Sequence, residues 1–83
     1  MDRAQISEKL TEIVISADPN LADWKDRMTG ETRIQEDLGL NSVGMLFIAV
    51  MIEETFGIRL SDVKVGDLHT FGDVVDVIQG CLS

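Results

Sequence analysis

The sequence predicts an all-α fold, a small up-and-down bundle of three main helices plus one short helix. Three observations carry this prediction. Apolar residues recur at three- and four-residue spacing in separate stretches. Capping residues stand where those stretches begin. A chain of 83 residues has room for one core, so residues 1–83 are expected to form a single domain.

The first helix is expected from about Arg3 to Ser16. Ile6, Leu10, Ile13, Val14 and Ala17 fall on one face, with Glu8, Lys9 and Glu12 on the other. Asp2 is suited to the N-cap, and Gln5, three residues on, completes a capping-box pattern. The connection from Asp18 to Asn41 has no sustained periodicity. Asp18-Pro19 within it pairs a cap with proline at a first helical position, which predicts a short turn through Leu21 and Trp24. Trp24 is expected to fold back onto the bundle.

Asn41 caps the second helix, which starts at Ser42, ends near Thr55-Phe56 and stops at Gly57. Ile58 and Leu60 alternate around Arg59 in a short extended link. Ser61 can cap a brief helix from Asp62 to about Asp67, with Gly66 limiting its length. Thr70 followed by Asp73 opens the final helix through Val74, Val77, Ile78 and Cys81. Cys81 reads as a small buried or half-buried residue.

Composition narrows the function before any motif does. With 45 % hydrophobic and 27 % charged residues, the chain has the make-up of a folded protein. Three Phe, one Trp and seven Gly leave little material for a substrate-enclosing pocket beside a core, which favours a binding or carrier module over a self-contained enzyme. The net charge of −8 repels nucleic acid and anionic membrane surfaces and attracts basic protein surfaces. One cysteine excludes an internal disulfide and a cysteine-rich zinc site, so no metal is expected. Residues 1–5 lack the apolar core of a secretory signal, and the longest apolar run covers ten residues, about half of what a membrane-spanning helix requires. The expectation is a cytoplasmic protein without membrane insertion.

The second helix carries more apolar surface than a core can take up. At about 100° per residue, Glu53 and Glu54 define its wet side, because burying them unpaired is costly. Ser42, Val43, Leu46, Phe47 and Val50 share that side. Met45, Ile48, Met51, Ile52 and Phe56 lie opposite, with Ala49 at the border. An uncovered strip of this kind marks a partner surface. The competing arrangement has the Asp18–Asn41 connection fold over it, covering Phe47 in particular.

Ser42 admits three readings. It can satisfy free N–H groups at a helix start. It can be a nucleophile, although Gly39-Leu40-Asn41-Ser42-Val43-Gly44 has one residue too many for a nucleophile elbow. His69 is the sole histidine and has no evident partner to orient it as a base. Third, the N–H groups and partial positive charge of a helix start suit a phosphodiester on the first hydroxyl. Physics permits this reading without singling it out.

The string Glu36-Asp37-Leu38-Gly39-Leu40-Asn41-Ser42-Val43, with Glu53-Glu54-Thr55-Phe56-Gly57-Ile58 after it, resembles the acyl carrier protein family. That family has an acidic-Leu-Gly-x-Asp-Ser-Leu signature and an acidic helix ending in Glu-Glu-x-Phe. The likeness is strongest from Thr32 to Ile78. It implies that Ser42 receives 4′-phosphopantetheine from coenzyme A through a phosphopantetheinyl transferase. It also implies that acyl intermediates travel as thioesters between enzymes of fatty-acid, polyketide or related synthesis. The chain itself would catalyse nothing. Docking would use Val43, Leu46, Phe47, Val50, Glu53 and Glu54 against basic surfaces of acyl-transferring and chain-modifying synthase enzymes, mostly with the carrier as a monomer. The alternative is a helical interaction adaptor without a prosthetic group.

Three departures from the family pattern point to a specialised carrier with few partner enzymes. Asn41 stands where Asp is usual. Gly44 and Phe47 occupy docking-face positions that are commonly acidic. The connection after the first helix is longer than usual.

Overall fold

The computed structural model describes residues 2–60 and 68–82. The short helix expected from Asp62 to Asp67 lies outside the described residues.

Helix α1 spans Arg3–Ala17. Asp2 takes the Gln5 N–H at 2.8 Å, and the Gln5 side chain accepts the Asp2 N–H at 3.2 Å, which closes the capping box. At its far end Asp18 turns the chain by accepting the Asn20 N–H, and a 3₁₀ turn follows over Pro19–Trp24. Trp24 packs half-buried against the core, with the Arg27 guanidinium 4.5 Å from its ring centroid.

Helix α2 spans Ser42–Phe56 and stops at Gly57, whose φ of 67° gives the left-handed turn needed to end it. Helix α3 spans Phe71–Leu82. Its start repeats the reciprocal cap in a variant form. Thr70 Oγ1 accepts the Asp73 N–H at 3.1 Å, while Asp73 accepts the N–H groups of Thr70 and His69. The Thr70 N–H above all holds the Asp73 carboxyl below the usual carboxylate range; burial opposes it, and the His69 N–H and the Thr70 hydroxyl help offset that opposition.

The described residues are therefore helical with no strand, as the sequence predicts. Helix α1 packs against both α2 and α3, which meet each other less extensively. Ile6, Leu10, Ile13 and Val14 of α1 meet Met45, Ile48, Ile52 and Phe56 of α2 and Phe71, Val74, Val75 and Ile78 of α3. The long connection joins this core through Leu21, Ile34, Leu38 and Leu40.

Three apolar positions differ from expectation. Met51 is only partly buried, since it lies about 100° round α2 from the mean direction of the four buried residues. In α3 the buried stripe runs through Val75, and Val77 sits at its edge. Cys81 is exposed rather than buried, one turn beyond Ile78, where the buried stripe of α3 ends.

Backbone pairing fixes the connection to α3. Gly30 O accepts the Gly72 N–H, Thr32 O the Phe71 N–H and His69 O the Ile34 N–H, all within 3.0 Å. The approach is so close at Gly72 that a Cβ there would lie 2.7 Å from the Gly30 carbonyl oxygen. Gly72→Ala should therefore cost about 1–3 kcal/mol, as overpacking does, in urea denaturation. Gly30→Ala, whose Cβ would meet only Gly72 Cα at 3.8 Å, should cost clearly less.

The Asp73 cap also predicts a pH dependence. Its folded pKa lies below the unfolded value of about 3.9, so its contribution is complete above that pH and is lost as pH falls through the folded value. Asp73→Ala should be less stable than the parent at about pH 7, and the gap should narrow as pH is lowered toward about 2. Paired urea midpoints measure it.

Candidate functional site

The approach to α2 is built by one glycine between two leucines. Leu38 and Leu40 are both buried, and Gly39 between them has a φ of 70°. The left-handed conformation, cheap only for glycine, bends the chain between the two buried leucines. Upstream, Asp37 and Arg33 close their own turn. The Arg33 N–H donates to Asp37 Oδ2 at 2.9 Å, and Arg33 O accepts the N–H of Asp37 at 2.8 Å and of Leu38 at 3.2 Å. Glu36 pairs with the Arg33 guanidinium on the surface. Both acids of the Glu36-Asp37 pair thus serve the turn that presents Asn41.

Asn41 Oδ1 accepts the Gly44 N–H at 2.9 Å, and Asn41 O accepts that of Met45. Two N–H groups of the first turn, those of Ser42 and Val43, are left without a partner among the described residues. Ser42 is exposed, and its hydroxyl is engaged by no described residue. No acidic side chain stands in the first turn of α2 to compete with an anion. A hydroxyl free in water beside two unpaired N–H groups at the positive helix end fits a phosphodiester on that oxygen.

The strip next to it is open to solvent. Val43 is 74 % exposed, Leu46 61 %, Val50 52 % and Phe47 43 %. The Asp18–Asn41 connection does not roof it. Its two ends come near, Asp18 at the start and Gly39-Leu40-Asn41 at the finish, and a groove of about 360 Å³ lies between Ala17-Asp18 and Phe47. At the other end of the strip the two glutamates differ. Glu54 is exposed, whereas Glu53 is half-buried and accepts the Leu60 N–H at 2.9 Å, fastening the link after α2.

His69 is exposed and lines a shallow cleft with Arg33, Gln35, Glu36 and Thr70, to which Ser42 does not contribute. Among the described residues no Ser–His pair forms. Among the described residues no group of His, Cys, Asp and Glu could hold a metal ion, and no helix is long and apolar enough to cross a membrane.

The sequence profile of the phosphopantetheine attachment site family matches residues 8–78. The mitochondrial acyl carrier protein of Saccharomyces cerevisiae is 30 % identical over 94 % of this chain, which spans 63 % of that protein's length. An acyl carrier protein of Coprothermobacter proteolyticus is 29 % identical over 99 % of this chain and 96 % of its own. Another, from Tropheryma whipplei, is 46 % identical over 52 % of each. A match spanning most of the chain, on a helical fold that leaves a helix-start serine free, shows that this chain belongs to the acyl carrier protein family, whose prosthetic group is covalently attached 4′-phosphopantetheine.

Proposed function

We propose that residues 1–83 act as one carrier domain with Ser42 as the attachment point for 4′-phosphopantetheine. The observation that carries this reading is the exposed Ser42 hydroxyl at the α2 start, beside an uncovered apolar strip. The bound group supplies a terminal thiol on which acyl intermediates of fatty-acid, polyketide or related synthesis are held as thioesters. The protein's own residues position and present. Ser42 provides the oxygen that enters the phosphodiester, and the Ser42 and Val43 N–H groups face its negative charge. Asn41 keeps the helix start formed without adding a charge there.

Docking in this reading uses Val43, Leu46, Phe47 and Val50 for contact area, with Glu54 and the free oxygen of Glu53 toward basic groups. The partners are a phosphopantetheinyl transferase and acyl-transferring or chain-modifying synthase enzymes. The domain works as a monomer, performs no catalysis and operates in the cytoplasm.

Incubation with coenzyme A and broad-specificity transferases should add the arm's mass once to the parent and not at all to Ser42→Ala. That variant should stay within about 1 kcal/mol of the parent's stability, because Asn41 is the cap. Failure of every transferase to add the mass would leave the adaptor reading in its place. Leu46→Asp and Val50→Asp should still fold, since both side chains already face water. Each should weaken transferase binding at least about tenfold, or 1.4 kcal/mol, in a titration of the apo-protein.

A further inference from the structure

The chain has four arginines, and the fold engages three of them. Arg3 pairs with Asp76 and donates to Gln79, Arg33 pairs with Glu36, and Arg27 stacks on the Trp24 ring. Arg59 is exposed and has no partner among the described residues. The backbone beneath it is nevertheless fixed. Glu53 O accepts the N–H groups of Gly57 at 2.9 Å and Ile58 at 3.3 Å, and Glu53 Oε2 accepts that of Leu60 at 2.9 Å. Ile58 packs half-buried against the core and Leu60 is buried, while Arg59 between them meets solvent. The peptide that joins Arg59 to Leu60 is the one bonded to the Glu53 carboxylate. A cation is thus mounted beside Glu53 and Glu54, at the far end of the apolar strip.

We propose that Arg59 is a specificity-determining contact of the docking face: it favours a partner enzyme with a carboxylate opposite it and rejects one whose docking surface is basic throughout. The inference rests on the docking role proposed for the α2 strip. A guanidinium is a planar fork that can take both oxygens of a carboxylate at once. In open water such a pair contributes little, but a partner seated on the strip excludes water around it and strengthens it. Small free anions are repelled by the net charge of −8. The anionic group therefore has to arrive on a partner that the strip and Glu54 already attract.

A surface carrying only lysine or arginine would satisfy Glu54 and set like charge against Arg59. Like charges brought face to face are a means by which interfaces exclude wrong partners. Acid and base side by side also fix the direction of seating, since a partner turned end for end loses both pairings. The competing account is structural, because a cation just past α2 is also favoured by the negative end of the helix. That account predicts a loss of stability on neutralising Arg59 and no effect on docking.

The test titrates the apo forms of the parent, Arg59→Gln and Arg59→Glu with a broad-specificity transferase whose docking surface is basic. Removing and then reversing the charge should tighten binding by about threefold and about tenfold at low salt, and the differences should shrink as salt rises. Changing the transferase's basic docking residues to glutamate one at a time should yield a variant that inverts the order, with the parent binding tightest. Equal affinities for the three carriers, or an order that no transferase variant inverts, overturn the proposal. A lowered urea midpoint for Arg59→Gln with unchanged binding assigns Arg59 to the helix end and overturns it too. Inorganic phosphate should leave the amide shifts of residues 57–60 in place, and a saturable shift there would make Arg59 a small-anion site instead. If no carrier binds the transferase, the docking reading falls as well. Binding in the expected order without any gain of the arm's mass supports the role of Arg59 and removes only the attachment reading.

Discussion

Everything about the site depends on how two leucines are buried around a left-handed glycine. Leu38 and Leu40 anchor the segment in the core, and Gly39 supplies the turn between them. Once both are seated, Asn41 emerges at the surface in extended geometry, ready to cap α2, and Ser42 follows as an exposed first helical residue. The anchoring is reinforced from two sides. Arg33 and Asp37 lock the preceding turn, and residues 30–34 pair with residues 69–72 at the α3 start. Backbone hydrogen bonds thus tie the connection down at several points while its apolar side chains join the core, so the segment can be long without being loose.

Helix α2 is a poor design for folding alone. Leaving a Val, Leu or Phe side chain in water gives up about 1.5–3 kcal/mol that its burial would contribute. The four here are 43–74 % exposed and so give up part of that each, together still a sizeable share of a small domain's stability of about 5–15 kcal/mol. A strip held open at that cost, on the same helix face as a free hydroxyl, is what the proposed docking role would use. The opposite face, through Met45, Ile48, Ile52 and Phe56, is sufficient to hold α2 in the bundle.

Much of this was legible in the chain because local rules decide it. The Asp2–Gln5 and Thr70–Asp73 caps, the Asp18-Pro19 turn and the Gly57 stop each involve neighbours within a few residues, and each forms where the sequence places it. The faces of α2 followed from its period alone, with Met51 displaced only because it sits at the boundary. Long-range pairing was not legible. Nothing in Gly30, Thr32 or Ile34 announces a hydrogen-bond partner some 40 residues away. Nor does Glu53 reveal in sequence that its carboxylate reaches past the helix end to the Leu60 N–H. Cys81 failed for a related reason: helical spacing continues along α3 after the partner surface it would need has ended.

In the proposed docking mode, charge and grease divide the work of recognition between them. The net charge of −8 sets up a field that draws basic surfaces from beyond contact distance and raises encounter rates. Salt screens that field over about 8–10 Å, and exposed ion pairs contribute at most about 1 kcal/mol each, so the field selects who approaches more than who stays. Residence would then fall to the strip, where a matching apolar partner recovers the burial that folding left undone. Because Glu53 is partly committed to Leu60, Glu54 is the freest acid at the strip's far end. A partner suited to this carrier therefore needs an apolar trough with a basic group at one end, and a basic patch alone would meet it often and hold it briefly.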